Sequence, residues 1–231
     1  MNVPDLTDEE LFAAARKELF TAVVGDAMDK MKLYHQFLPA RIQPLKSEML
    51  LVGRAMTVLE ADTFEETPTF TNNPILKKPF GLMLEALDDL KKNEVYICTG
   101  ASDHYALIGE IMMTRVQKLG AAGAVVNGYS RDTHGMLDLD MPIFSYGNYA
   151  QDQGPRGRVI DFRVPIEIEG VRIEPGDIVV GDVDGVCIVP KKHEKEVFER
   201  AFEKARGERK VLKAVQDGMS AVDAWNTYGI M

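Results

Sequence analysis

Glu110 is followed, after 20 intervening residues, by Arg131 and Asp132 side by side. A carboxylate at an exposed strand end is a hard oxygen ligand suited to Mg²⁺ or Mn²⁺, cations that retain several waters when bound. An adjacent arginine offers a planar fork for a carboxylate or an enolate oxygen. A helix beginning near Glu110 would add the first-turn amides of Ile111 and Met112, with a dipole favourable to an anion. Together these groups would suit a 2-oxo acid held between metal, arginine and helix start. A plainer reading stands beside this one. Arg-Asp dipeptides are common surface pairs, and a glutamate in a first helical turn is favourable for capping alone.

The chemistry requires that the two ends meet, and the flanking pattern supplies a route. "EVYIC" (94–98) is a short apolar strand, and "ALIGEIMMTRVQKLG" has helical spacing. Ile108, Ile111, Met112, Val116 and Leu119 are expected on one face of that helix, which Gly120 closes. "GAVVN" (123–127) is a second buried strand, so the segment is a β-α-β unit with parallel strands and a right-handed crossover. Ten to twelve helical residues at ~1.5 Å carry the chain roughly 15–18 Å along the sheet. Five strand residues at ~3.3 Å bring it about 17 Å back. Arg131 and Asp132 therefore return beside Glu110, at the edge where open α/β sheets place ligands.

Around this core, Thr7 with "DEELFAAARKELF" predicts a capped amphipathic helix, and "TAVVGDAMDKM" a second. "LLVGRAMTVLEAD" predicts a strand, and "PFGLMLEALDDLKK" a helix with Pro79 near its start. "MPIFSYG", "RVIDFRVPIEIEGVRI" and "DIVVGDVDGVCIVP" are strand segments turned at "IEGV" and "EPGD", where Asp182 and Asp184 read as turn carboxylates. A long charged helix follows, expected to break near Gly207 and to end by Gly218. No internal repeat or polar linker interrupts the pattern. The reading is one α/β domain over 1–231, with N-terminal helices over 1–33 and a C-terminal helical extension over 191–231.

Acidic residues outnumber basic ones 36 to 27, for a net charge of -9, which opposes binding to a phosphate backbone; nucleic acid is excluded as an expected partner. Cys98 and Cys187 lie in apolar strands, outside any CxxC or Cys/His cluster, and are expected as buried reduced thiols. No run approaches the ~20 apolar residues of a membrane helix. No basic-then-apolar segment opens the sequence, so a cytoplasmic location is expected, with no membrane partner.

"GE", 20 residues and then "RD", together with "TAVVGDAMDKM", "LVGRAMTV", "GAAGAVVNGYSRD" and "GVRIEPGDIVVGDVDGVCIVP", resemble the class II pyruvate aldolases of the 4-hydroxy-4-methyl-2-oxoglutarate type. That family also includes the regulator of ribonuclease E activity, and the resemblance covers nearly the whole chain. It implies a layered β/β/α swivelling-domain fold assembled as homotrimers or homohexamers. It implies a metal-dependent lyase that releases pyruvate through a metal-stabilised enolate, with oxaloacetate decarboxylation as companion activity. By position, Asp132 would bind Mg²⁺ (or Mn²⁺) directly. Glu110 would hold metal-bound or catalytic water, and Arg131 would contact the substrate's oxo oxygen. Gly109, Ile111 and Met112 would form the carboxylate cradle. Glu208, ten residues before Gly218, would reach the metal waters of a neighbouring subunit.

Departures from the family pattern bear on substrate. Asn127-Gly128 replaces a usual Asp-Gly, and as bland structure it suits a turn with positive φ. A family asparagine that contacts substrate has Asn72 or Asn73 as its nearest counterpart. His104 and His134 flank the cluster as pocket residues or plain surface, and Asp103 reads as a helix cap. Arg156 and Arg158 offer a second carboxylate site or solvent-facing charge. The competing function is a non-catalytic, protein-binding regulator of the ribonuclease E kind. A menaquinone-type methyltransferase ranks below both, because no strand leads into the glycine-rich loop that an S-adenosylmethionine site normally uses.

Overall fold

The computed structural model describes residues 6–64 and 70–230. Thr7 opens α1 (Asp8–Glu18) with a reciprocal box: its hydroxyl accepts the Glu10 N–H, and the Glu10 carboxylate accepts the Thr7 N–H. α2 (Thr21–Lys30) starts on the buried Asp182, which accepts the Thr21 N–H at 2.7 Å and its hydroxyl at 2.6 Å. Asp182 is thus a helix anchor as well as a turn residue.

The chain continues through β1 (Gln43–Pro44), β2 (Leu51–Asp62), α3 (Met83–Asp89), β3 (Glu94–Thr99), β4 (Ala106–Ile108), α4 (Glu110–Lys118) and β5 (Gly123–Val126). Then come β6 (Tyr129–Ser130), α5 (Thr133–Asp138), β7 (Ile143–Ser145), β8 (Gly157–Phe162) and the hairpin β9 (Ile166–Ile168) with β10 (Val171–Ile173). β11 (Ile178–Asp182), β12 (Gly185–Val189), α6 (Glu194–Gln216) and α7 (Ala221–Tyr228) complete it.

Eight strands form one mixed sheet in the order β1-β7-β5-β3-β2-β11-β12, with β8 paired to β2. The neighbours β2, β3, β5 and β7 run parallel, and the β3-α4-β5 crossover is the expected β-α-β unit. Side chains alternate between the two faces, as the pleat requires. Val95, Ile97, Val125, Val179 and Ile188 point toward the β9–β10 hairpin. On the opposite face, helices cover the sheet in two separate clusters. α1, α2 and α6 pack on Val52, Ile178, Val180, Cys187 and Val189. α3 and α4 pack on Met56, Val58, Tyr96, Cys98, Ala124 and Val126. Hairpin, sheet and helices make the β/β/α layering. Both cysteines are buried and free.

Arg54 lies on β2 between Val52 and Met56, where the two helical clusters meet, and ion-pairs with both Asp8 and Glu194. It ties the start of α1 to the start of α6.

Three sequence expectations change. Gly109 is fully extended, so "ALI" is the strand β4 and the helical period begins only at Glu110. The buried helix positions are accordingly Met113 and Val116; Ile108 is buried in β4, Met112 is half-buried and Ile111 is 87% exposed. The helix expected from Pro79 starts at Met83, because Phe80 and Gly81 both adopt positive φ (60° and 64°). A Cβ on Gly81 would lie 2.2 Å from the Val159 carbonyl oxygen, so this close crossing requires glycine. α6 runs unbroken through Gly207, held by the apolar face of Val197, Phe198, Ala201, Phe202, Ala205 and Val211. Gly207 leaves room for Ile230, whose Cδ1 would be 2.4 Å from a Cβ there.

Candidate active site

A second, minor strand pair positions the cluster. β4 and β6 are parallel extensions at the ends of the core strands, with Ile108 opposite Ser130 and the Arg131 N–H bonded to the Ile108 carbonyl at 3.0 Å. That register sets Gly109 and Glu110 against Arg131 and Asp132. The Glu110 N–H donates to Asp132 Oδ2 at 3.3 Å, and Arg131 Nε lies 3.7 Å from the same oxygen. A Cβ on Gly109 would fall 2.5 Å from Asp132 Oδ2. Glycine is what lets the carboxylate lie there.

Asp132 adopts a left-handed conformation (φ 58°, ψ 38°) as it enters α5. Aspartate tolerates this region better than most residues, and such outliers concentrate at functional sites. The Glu110 carboxylate crosses to α5, where a Cβ on Gly135 would come within 2.0 Å of its Cδ. The hydrogen-bond ladder of α4 begins with the Met113 N–H on the Gly109 carbonyl at 3.0 Å, so the Ile111 and Met112 amides precede it.

A cavity of about 530 Å³ opens between α3 and α4 above this cluster. Gly109, Ile111, Met112, Arg131 and Asp132 line it, as do Asp152 and Gln153. Glu110 sits beside it, turned toward Gly135 and away from the lining. Arg131 Nη1 reaches Asp152 Oδ1 at 2.8 Å, so one guanidinium is shared by two carboxylates.

Behind Gln153 lies Glu60, fully buried and bonded by Gln153 Nε2 at 3.1 Å. Burial raises its carboxyl to about 8; the bond from Gln153 opposes this only in part, and the nearby Asp62 adds a smaller upward push. Burial also works against charge on Asp62, but bonds from Ser102 and the Tyr105 hydroxyl prevail and hold it below the ordinary range. Burial pushes Cys98 and Tyr96 well above their usual values, so neither supplies an anion here.

Other candidates lie elsewhere. His104 is exposed beside Asp103, which caps no helix because Gly109 occupies the α4 N-cap. His134 is exposed on α5. Asn72 and Asn73 are outside the cavity lining, and Asn73 caps the turn at Ile75. Asn127 and Gly128 do not have positive φ. Asn127 instead bridges Thr99 (3.0 Å) and the Tyr146 hydroxyl, while Gly128 yields space to Leu107. Arg156 bonds the Asp152 carbonyl, and the buried Arg158 bonds those of Gly154 and Gly157. Glu208 pairs with Lys204 at 2.6 Å on α6, outside this cavity.

Sequence reasoning missed Asp152 and Gln153. They lie in "NYAQDQGPRG", a polar stretch without periodicity, and reach the cavity because the Gln151 carbonyl accepts the Ala106 N–H.

Among the described residues no three His, Cys, Asp or Glu side chains form a group able to hold a metal alone. A hydrated Mg²⁺ or Mn²⁺ asks for no more than one or two carboxylates. Asp132 fits that demand, since its Oδ1 has no hydrogen-bond partner among the described residues. No helix among the described residues is long and apolar enough to cross a membrane.

Fold and cluster together define a layered α/β protein with an acid–arginine–acid rim at one sheet edge. The chain belongs to the RraA-like family, whose model, described as Aldolase/RraA, matches residues 21–188. A protein of Halalkalibacterium halodurans provisionally named 4-hydroxy-4-methyl-2-oxoglutarate aldolase is 30% identical, with 89% of each chain covered. A solved chain described among novel cellulases from gut-associated microbes is 30% identical at TM-score 0.79, covering 89% of this chain and 88% of its own. Streptomyces coelicolor RraAS2, described as an unusual member of the RNase ES inhibitor RraA family, shares the fold at 22% identity and TM-score 0.73, covering 87% of this chain and 95% of its own.

Proposed function

We propose that the protein is a divalent-metal-dependent lyase that cleaves a 4-hydroxy-2-oxo acid to pyruvate, with oxaloacetate decarboxylation as a side activity. One observation carries the reading: Arg131 and Asp132 line a cavity at the first turn of α4, with the Glu110 N–H on the Asp132 carboxylate. A small anion entering there meets a guanidinium and the Ile111 and Met112 amides at once.

In the cleavage, the C3–C4 bond breaks and its electron pair moves into the C2 carbonyl as an enolate. The 4-hydroxyl loses its proton and becomes the carbonyl of the second product, and a proton then returns to C3. Arg131 would bear the charge growing on the C2 oxygen, a fixed cation that needs no reorganisation as the reaction proceeds. Glu110, acting through a water, would take the hydroxyl proton and give one back to C3. Asp132 would hold Mg²⁺ or Mn²⁺ directly, with Glu110 and a neighbouring copy's Glu208 contacting its waters in a homotrimer or homohexamer. Bound there, the ion supplies Lewis-acid charge. Glycoside hydrolysis, named in the description of one structural neighbour, does not suit this rim. Asp132 and Asp152 share one guanidinium, an anchoring arrangement unlike the separated acid and base of glycoside hydrolysis.

The test couples pyruvate release to lactate dehydrogenase over a panel of 2-oxo acids. Activity restored by Mg²⁺ after EDTA and lost in Asp132→Ala supports the reading. Full activity in Asp132→Ala overturns the metal assignment. No pyruvate from any compound, with a ribonuclease captured in its place, favours a regulator.

A further inference from the structure

We infer that the substrate carries an apolar group at C4, an alkyl or aryl chain in place of a second carboxylate. The inference rests on the lyase reading and concerns the far wall of the same cavity. Arg131, Asp132 and Asp152 are joined by ion pairs, with Gln153 next in sequence, and the other two charged lining residues, Asp88 and Arg115, pair with each other. The remaining wall is largely apolar, with Phe80, Met83, Leu84, Leu87, Leu107 and Met112. A volume of about 530 Å³ falls within the roughly 300–1,000 Å³ of pockets that enclose whole organic ligands.

The cations decide between the two kinds of tail. Among the described residues only Arg131 and Arg115 bring positive charge to the lining. Arg131 serves the pyruvate end and already contacts Asp152, and Arg115 Nε is bonded to Asp88 Oδ1 at 2.8 Å. Asp88, Asp132 and Asp152 make acids the majority of the charged lining. Arg156 and Arg158, the sequence candidates for a second carboxylate, lie outside it. A distal carboxylate would therefore shed water against methyl and thioether groups and meet acids already in place. An alkyl or aryl chain would displace water from the same wall and bury its own surface.

The experiment uses the full chain with Mg²⁺ and reads pyruvate from three compounds. They are 4-hydroxy-2-oxoheptanoate, 4-hydroxy-2-oxo-4-phenylbutanoate and the dicarboxylate 4-hydroxy-4-methyl-2-oxoglutarate. The expected kcat/KM is at least about 10-fold higher for the two apolar compounds, the scale on which a hydrophobic pocket discriminates. Leu84, on α3 and 56% exposed, tolerates a cation without loss of the core. Leu84→Arg is expected to move the preference roughly 10-fold toward the dicarboxylate, with Leu84→Ala weakening only the apolar compounds. Equal or reversed preference in the parent chain overturns the inference and leaves the lyase standing. A Leu84→Arg enzyme with an unchanged ratio overturns it as well. Pyruvate from none of the three removes the lyase reading and this inference together.

Discussion

Helices cover one face of the sheet in two halves, and the halves close differently. Over β11 and β12, the α1, α2 and α6 layer is sealed: Asp182 fastens α2, and Arg54 joins α1 to α6. Over β3 and β5, α3 has only 7 residues and α4 only 9. They leave a cavity between them, and Leu84 and Ile111 stand exposed at its rim. The same strand, β2, serves both halves. A helical layer shortened over one part of a sheet leaves the strand ends open to ligand, and a fully covered part supplies the rigidity behind them.

Substitutions that separate the halves test this contrast. The largest effect is expected in the open half. Arg131→Ala should cut kcat/KM by about 10²–10³, the scale for removing one donor to a developing oxyanion, with little change in melting temperature. A fall in stability of the same size as the kinetic loss would make Arg131 structural.

Glu60→Gln sharpens the picture of what lies behind the cavity. In the folded chain the Glu60 carboxyl titrates at about 8, above its ordinary 4.5, so folding holds a proton that the unfolded chain releases. Stability of the parent should fall as pH rises from about 4.5 to 8, and the glutamine variant should lack that slope. The variant should gain on the order of 4 kcal/mol at pH 8 and nothing below pH 4.5. Denaturant titrations across this range that ran parallel for both chains would refute it.

In the sealed half the outcomes reverse in kind. Arg54→Ala strands Asp8 and Glu194 and should cost about 2–3 kcal/mol, because the guanidinium is mostly buried, with kcat/KM per folded molecule unchanged. The smallest effect belongs to Asp182→Ala, which removes the anchor of α2 and should cost about 1–2 kcal/mol in chemical denaturation, again with kinetics intact. Loss of activity without loss of stability in either variant would break the division of labour.

Much of this was readable from the chain. Period-3.6 and period-2 patterns gave the β-α-β unit, the Thr7 cap and the strand pairs, since each depends on residues near one another in sequence. The meeting of Glu110 with Arg131 and Asp132 followed from segment lengths. What escaped had non-local causes. The face of α4 was misassigned because Gly109 resets the register, and that glycine is extended at the end of a strand whose pairing with β6 is non-local. Asp152 was invisible because non-local pairings bring its loop back, the Tyr149 N–H on the Ser130 carbonyl and the Ala106 N–H on the Gln151 carbonyl. Gly207 looked like a breaker, yet packing along α6 outweighs its propensity.

Gly109 and Gly135 each carry a bare Cα on which an acid rests. A methyl at either site would collide with that carboxylate, so a substitution there has to move the acid. The greasy wall of α3 holds no such acid: on the proposed lyase reading, changes on that one flank would trade substrates while the acids keep their places.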